Sequence, residues 1–199
     1  MEMRLLTMGN SEMFDRLKYS PFDIGFIYSA SGRSHLLNHV LEKHGLQFTP
    51  MCPAAPAIYI GGKHPLMKER KFSREQVQEL NFFKLDYDYR ERYSDLWETI
   101  RSYGLEKKLE HACVVNGGYG ITQMLENSAF AYLGHVWLSE GYVKPTVVKL
   151  KEIAVYGNYA LLDSADGDIT MGYISHRGMS SVYIQELIDM MKEVCRLKH

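Results

Sequence analysis

The stretch Tyr59–Asp86, YIGGKHPLMKERKFSREQVQELNFFKLD, links two apolar segments through a Gly-Gly step, a KHPL turn, a basic run and a short amphipathic helix. A catalytic loop needs a nucleophile with its base, or paired acids, and this segment sets up neither. The basic run Lys68–Lys71 is broken by Glu69 and followed by Glu75 and Glu79, the pattern of a solvated helix entrance. The segment reads as a junction between two parts of an α/β fold.

Working outward, strands alternate with helices. MRLLTMG (3–9) reads as a strand, and Asn10 or Ser11 offers an N-cap to a helix with Met13, Phe14 and Leu17 on one side. FDIGFIYS (22–29) is a nearly continuous apolar run, as expected for a parallel strand buried on both faces. SHLLNHVLEKHG (34–45) carries a Leu36, Leu37, Val40, Leu41 stripe and stops at Gly45, after which CPAAPAIYI (52–60) turns and becomes a strand. LNFFKL and KLEHACVV read as strands around the helix YSDLWETIRSYG, and NGGYGITQMLENS is a Gly-rich entry to the next helix. FAYLGHV, TVVKLKEIAVYGNYALLDS and ITMGYIS read as strands, and SSVYIQELIDMMKEVCR as the last helix. The expected class is an α/β sheet with helices on both faces.

Composition bounds the function. The chain has 199 residues, 46% of them hydrophobic, enough for one core or two small ones sharing a hinge. A formal net charge of −1 and no basic patch argue against tight DNA binding by this chain alone. Cys52, Cys113 and Cys195 are widely spaced and advertise no pair, which fits a reducing compartment, the cytoplasm by default. No secretory signal is read at the start, and the longest uncharged run, ACVVNGGYGITQML, is too short to span a membrane.

In order and spacing, FDIGFIYS, IYIGGKHPL, the helix ending in ELNFFKL, and VVNGGYGITQML resemble the effector-binding domain of LysR-type transcriptional regulators. The resemblance implies a type 2 periplasmic-binding-protein-like fold: two Rossmann-like α/β subdomains joined by two crossover strands. Subdomain I is expected over 1–57 and 176–199, subdomain II over 58–175, with KHPL just past the first crossover. The family's first strand–helix unit and its winged helix-turn-helix find no counterpart in this sequence. The implied role is to bind a small anionic metabolite between the subdomains and relay closure to a DNA-binding domain, with no enzymatic activity, no cofactor and no membrane partner. Pairing into a homodimer is implied as well, and DNA is reached only through the helix-turn-helix. A stand-alone small-molecule-binding protein of the same fold is the alternative.

The candidate effector contacts are Asn10, Ser29, Ser31, Arg33 and Ser34 in the first part, and Tyr87, Tyr89, Asn116, Gly117 and Gly118 in the second. The serines and the planar Arg33 guanidinium follow a strand's carboxyl end, where α/β sheets bind ligands. Asn116–Gly118 opens a helix whose N–H groups and dipole favour an anion. Each has a plainer reading: Ser31 or Ser34 as an ordinary N-cap, the tyrosines as packing, the glycines as room for strand-to-helix contact. Cys113 with His111 two residues back is read as a buried structural cysteine rather than a catalytic pair. His35, His39 and His44 make no metal-binding spacing.

Overall fold

A computed structural model describes residues 4, 6–21, 23–68, 73–85, 96–135, 155–156, 159–161, 168–179 and 181–196. Its elements divide into two compact units. One holds those up to Ala54 and from Ile169 onward; the other holds those from Pro56 to Leu161.

The first unit is built on β1 (Gly25–Ala30), β2 (Leu46–Ala54) and β9 (Ile169–His176), in the order β1-β9-β2. Both outer strands run antiparallel to β9, with Phe26 and Thr49 each opposite Tyr173. Helices α1 (Asn10–Leu17) and α2 (Ser34–Glu42) cover one face. Phe14 and Leu17 of α1 and Leu37 and Leu41 of α2, spaced for one helix side, pack with Ile27, Leu46 and Ile174. Side chains alternate along a strand, so Met171 points to the face opposite Ile174. Cys52 pairs with Met171 in register and is joined by a disulfide to Cys195 of α7 (Val182–Arg196), which places α7 on that second face.

Four local expectations are corrected here. Arg4 and Leu6–Gly9 lie in no strand. FDIGFIYS supplies an outer antiparallel strand, flanked by β9 on one side only, with Phe26 and Tyr28 half-buried on one face. The segment before Pro56 is a nine-residue strand, β2, where a turn was expected at CPAA. Pro50 and Pro53 are tolerated because β2 is an edge strand, and the register shifts between Pro50 and Cys52. Cys52 and Cys195 form a pair after all: 143 residues apart in sequence, they have Cα atoms 6.0 Å apart, a proximity no local spacing announces.

The second unit holds a sheet ordered β5-β4-β6-β3-β8-β7. Its strands are β3 (Pro56–Ile60), β4 (Phe82–Leu85), β5 (Cys113–Val115), β6 (Ala131–His135), β7 (Val155–Tyr156) and β8 (Tyr159–Leu161). β4 runs parallel to β5 and β6, whereas β3 is antiparallel to β6 and β8. Every residue of β3 and β4 is buried; β3 is apolar throughout, whereas β4 buries Lys84 among its apolar residues. Ala57, Tyr59, Phe83, Leu85 and Tyr132 pack with Ile121 and Leu125 of α6 (Gly117–Asn127). Phe83 and Tyr132 stack at 5.3 Å between ring centroids, and the Tyr59 hydroxyl donates to the His135 carbonyl at 2.6 Å.

The junction stretch is organised by its turn residues. His64 N–H donates to the Gly61 carbonyl at 2.9 Å, and His64 Nδ1 accepts from Leu66 N–H at 3.1 Å ahead of a 3-10 turn at Pro65–Lys68. Burial lowers the His64 pKa, favouring the neutral ring that this acceptor role requires. Helix α3 (Arg74–Glu79) then starts on a capping box between Ser73 and Gln76.

Helix α4 (Trp97–Tyr103) ends at Gly104, whose φ of +70° is the left-handed conformation glycine adopts without penalty. KLEHACVV divides between α5 (Glu106–Glu110) and β5, a correction to its reading as one strand. Lys84, 5% exposed in β4, explains how α5 is held. Its Nζ donates to the carbonyls of Leu109 at 2.7 Å and Glu110 at 3.2 Å, placing a cation on the negative end of that helix. Lys84→Met keeps the apolar stem and removes these bonds, and should lower unfolding stability by about 1–2 kcal/mol. A urea titration in which Lys84→Met is as stable as the parent would show that desolvating the ammonium cancels its bonds.

Candidate functional site

In the first unit, α1, β1 and α2 enclose a pocket of about 270 Å³. Its walls are apolar and largely buried: Phe14 from α1, Ile27 and Ala30 from β1, Leu37 from α2. The helical repeat puts Arg33, Leu36, Leu37 and Val40 on one side of α2, and Asn10 and Phe14, four apart, on one side of α1. Residues with polar side chains in the lining are Asn10, Tyr28, Ser29, Arg33 and His39. Asn10, Ser29 and Arg33 are half-buried, whereas Leu36 and His39 are exposed. The arrangement is an apolar hollow with amide, hydroxyl, guanidinium and imidazole groups and no carboxylate among the lining residues.

Asn10, Ser29 and Arg33 are thus brought together. Ser31 and Ser34 are exposed and outside the lining; Ser34 Oγ donates back to the Ser31 carbonyl at 2.9 Å, and Ser31 N–H donates to the Asp168 carbonyl at 2.9 Å. Neither serine caps α2, whose N-cap is Arg33, and α1 is capped by Gly9 rather than by Asn10 or Ser11. Phe14, Ile27, Leu37, Val40 and His39 escaped the sequence reading. The stripe on α2 signals burial, and only the exposure of Leu36 beside it marks a hollow.

In the second unit, Asn116 precedes α6 in extended conformation, without a side-chain cap, and Gly117 has φ +66° with open space at its Cβ position. A Cβ on Gly120 would stand 3.3 Å from the Val115 side chain, so part of this glycine content serves strand-to-helix packing. Gly118 lies in the first turn of α6, where backbone N–H groups lack helical partners. Tyr87 and Tyr89 fall outside the described residues. Cys113 is exposed, which corrects its reading as a buried cysteine, and His111 is exposed too.

No family model and no curated protein matches the chain. Solved structures do. HinK, a LysR family transcriptional regulator from Pseudomonas aeruginosa, is 14% identical with a TM-score of 0.54, over 96% of this chain and 60% of that one. OxyR from Porphyromonas gingivalis is 14% identical with a TM-score of 0.60, over 96% and 77%. The effector binding domain of QuiR, in complex with shikimate, is 13% identical with a TM-score of 0.51, over 96% and 80%. Against the Corynebacterium glutamicum OxyR C206 mutant the chain spans 53% of the length. The fold is therefore that of LysR effector-binding domains, the type 2 periplasmic-binding-protein-like class, carried on two sheets.

Proposed function

We propose that this chain is the effector-sensing part of a LysR-type transcriptional regulator, binding a small anionic metabolite without turnover. The observation that carries the reading is the convergence of Asn10, Ser29 and Arg33 on one pocket in a chain with the fold of effector-binding domains. An apolar hollow with a few convergent polar groups is the usual form of a small-molecule site. Ser31 and Ser34, with Tyr87, Tyr89, Asn116, Gly117 and Gly118 from the second unit, complete the proposed contact set. A ligand contacting both units favours a closed state through its differential contacts, and that closure is relayed to a DNA-binding domain outside the chain, in a homodimer.

The test is a thermal-shift and calorimetry screen of organic acids, aromatic acids and amino acids. Arg33→Ala should weaken the bound ligand by about 1.5–3 kcal/mol, the scale of a charge-assisted hydrogen bond. Gly118→Asp should abolish binding of any ligand whose anion reaches the α6 start, because it adds a side chain and a negative charge there. A ligand whose affinity neither substitution changes would refute the proposed contact set.

A further inference from the structure

We infer that the Cys52–Cys195 bridge is a reversible clasp on α7, opened and closed by thiol–disulfide exchange while the rest of the first unit stays folded. It is a regulatory device built into the fold, and it does not depend on a metabolite being bound. Both cysteines are buried, Cys52 at 5% and Cys195 at 4% exposure. A reductant therefore reaches the bridge only when something moves, and the element placed to move is α7.

Three features single it out. Cys195 stands in the last turn of α7, whereas the chain joins the helix to β9 at its other end through 177–181, a link that turns at Gly178 with φ +75°. The bridge thus pins the end of the helix that this link leaves loose. Besides Cys195, the buried side chain of α7 among those described is Ile188, with Ile184, Leu187 and Met191 half-buried, so packing alone holds the helix weakly. The strand that receives it, β2, is an edge of the sheet, and its register shifts between Pro50 and Cys52. On the opposite face of the same sheet, Phe14, Leu17, Leu37 and Leu41 pack with Ile27, Leu46 and Ile174. Lifting α7 leaves that cluster covered, which makes the motion a local opening rather than global unfolding.

The exchange balances with a dithiol. One thiolate attacks the sulfur of either cysteine, and a mixed disulfide forms as the other cysteine leaves as a thiolate and takes up a proton. The second thiol of the reductant then attacks the mixed disulfide, releasing the remaining cysteine and closing the reductant into a cyclic disulfide. The protein gains two electrons and two protons, and the reverse steps with the cyclic disulfide restore the clasp. Cys52 lies two residues before Ala54, the end of β2, and β3 begins at Pro56, so the clasp is set at the root of the connection to the second unit.

The test uses the full chain carrying Cys113→Ser, so that no third thiol competes. It is held without denaturant in mixtures of dithiothreitol and its oxidised cyclic form, then quenched in acid, alkylated and weighed. Reduction should add two alkyl groups together, about tenfold or more faster than global unfolding, while the amides of α1 and α2 keep their protection from hydrogen exchange. Exchange along 182–196 should rise on reduction and return on reoxidation. Ile188→Ala weakens the packing of α7 and should speed this reduction by about tenfold or more, whereas Leu37→Ala, on the other face of the sheet, should leave it within about twofold. Should Ile188→Ala fail to fold, Leu187→Ala, at a half-buried position, makes the same comparison. Reduction no faster than unfolding, or accelerated equally by substitutions on both faces, would make the bridge a static staple and overturn the inference. A reduced chain with unchanged exchange along 182–196, or one that does not re-form the bridge, overturns it as well.

Discussion

Gly61→Val is expected to destabilise the second unit by about 3 kcal/mol or more, whereas Gly62→Ala, one residue on, should cost about 1 kcal/mol or less. A Cβ at Gly61 would overlap the Ser128 carbonyl oxygen and lie 2.7 Å from that of Phe130. Both are backbone atoms in the link between α6 and β6, and neither side has room to retreat. Gly61 N–H donates to Phe130 O at 2.8 Å, Gly62 N–H to Leu125 O at 2.7 Å, and Lys63 N–H to Ser128 O at 3.1 Å. The link is further fixed by Phe130 N–H donating to Ser128 Oγ at 3.1 Å, and β6 is held between β3 and β4. At Gly62 the same construction meets only the Glu126 and Leu125 carbonyls at 3.5 and 3.6 Å, which is ordinary contact. Urea unfolding followed by tryptophan fluorescence would measure both, and equal losses at the two glycines would contradict the argument. The Gly-Gly step of the junction stretch is thus a packing device in which the first glycine does most of the work.

What could be read in advance follows from how local its cause is. β3, β4 and β6 are short runs dominated by apolar residues, buried except for the half-buried His135 that ends β6, and α7 is a clean amphipathic stripe, so their sequences declare them. β2 contains Pro50 and Pro53, which argue against a strand until it is known to be an edge, and edge position is a property of the whole sheet. The same holds for MRLLTMG: an alternating segment becomes a strand only with a neighbour to pair with, and Arg4 and Leu6–Gly9 belong to no sheet. In the pocket, Arg33 and Ser29 were legible because they follow a strand's carboxyl end. Phe14 and Val40 were not, since an apolar residue facing a hollow carries the same periodic signature as one facing a filled core.

Reduction of the Cys52–Cys195 disulfide should lower the stability of the first unit by about 3–5 kcal/mol and leave the second largely unaffected. A cross-link between residues 143 apart removes much of the freedom of the unfolded chain; loop-closure entropy alone gives about 5 kcal/mol, and measured bridges usually deliver somewhat less. The structure gives reason to expect the upper part of that range to act on α7. Ile188 and Cys195 are its buried side chains among those described, whereas Val182, Tyr183 and Met190 are 72%, 58% and 57% exposed, so few apolar contacts replace the bridge. Losing it should therefore free α7 from β2 before the α1–α2 face of the same sheet melts, since Phe14, Leu17, Leu37 and Leu41 pack independently of it. Reduction with a phosphine separates the cross-link from the packing of the sulfur atoms, which a serine substitution also removes. Thermal unfolding with and without reductant gives the stability change, and hydrogen exchange along 182–196 shows whether it starts at the helix. Thiol counting supplies the chemical check: the unfolded, unreduced chain should present one reactive thiol, Cys113, already exposed in the folded state. Three thiols before reduction would show that the bridge is not formed, and the predicted loss would vanish with it.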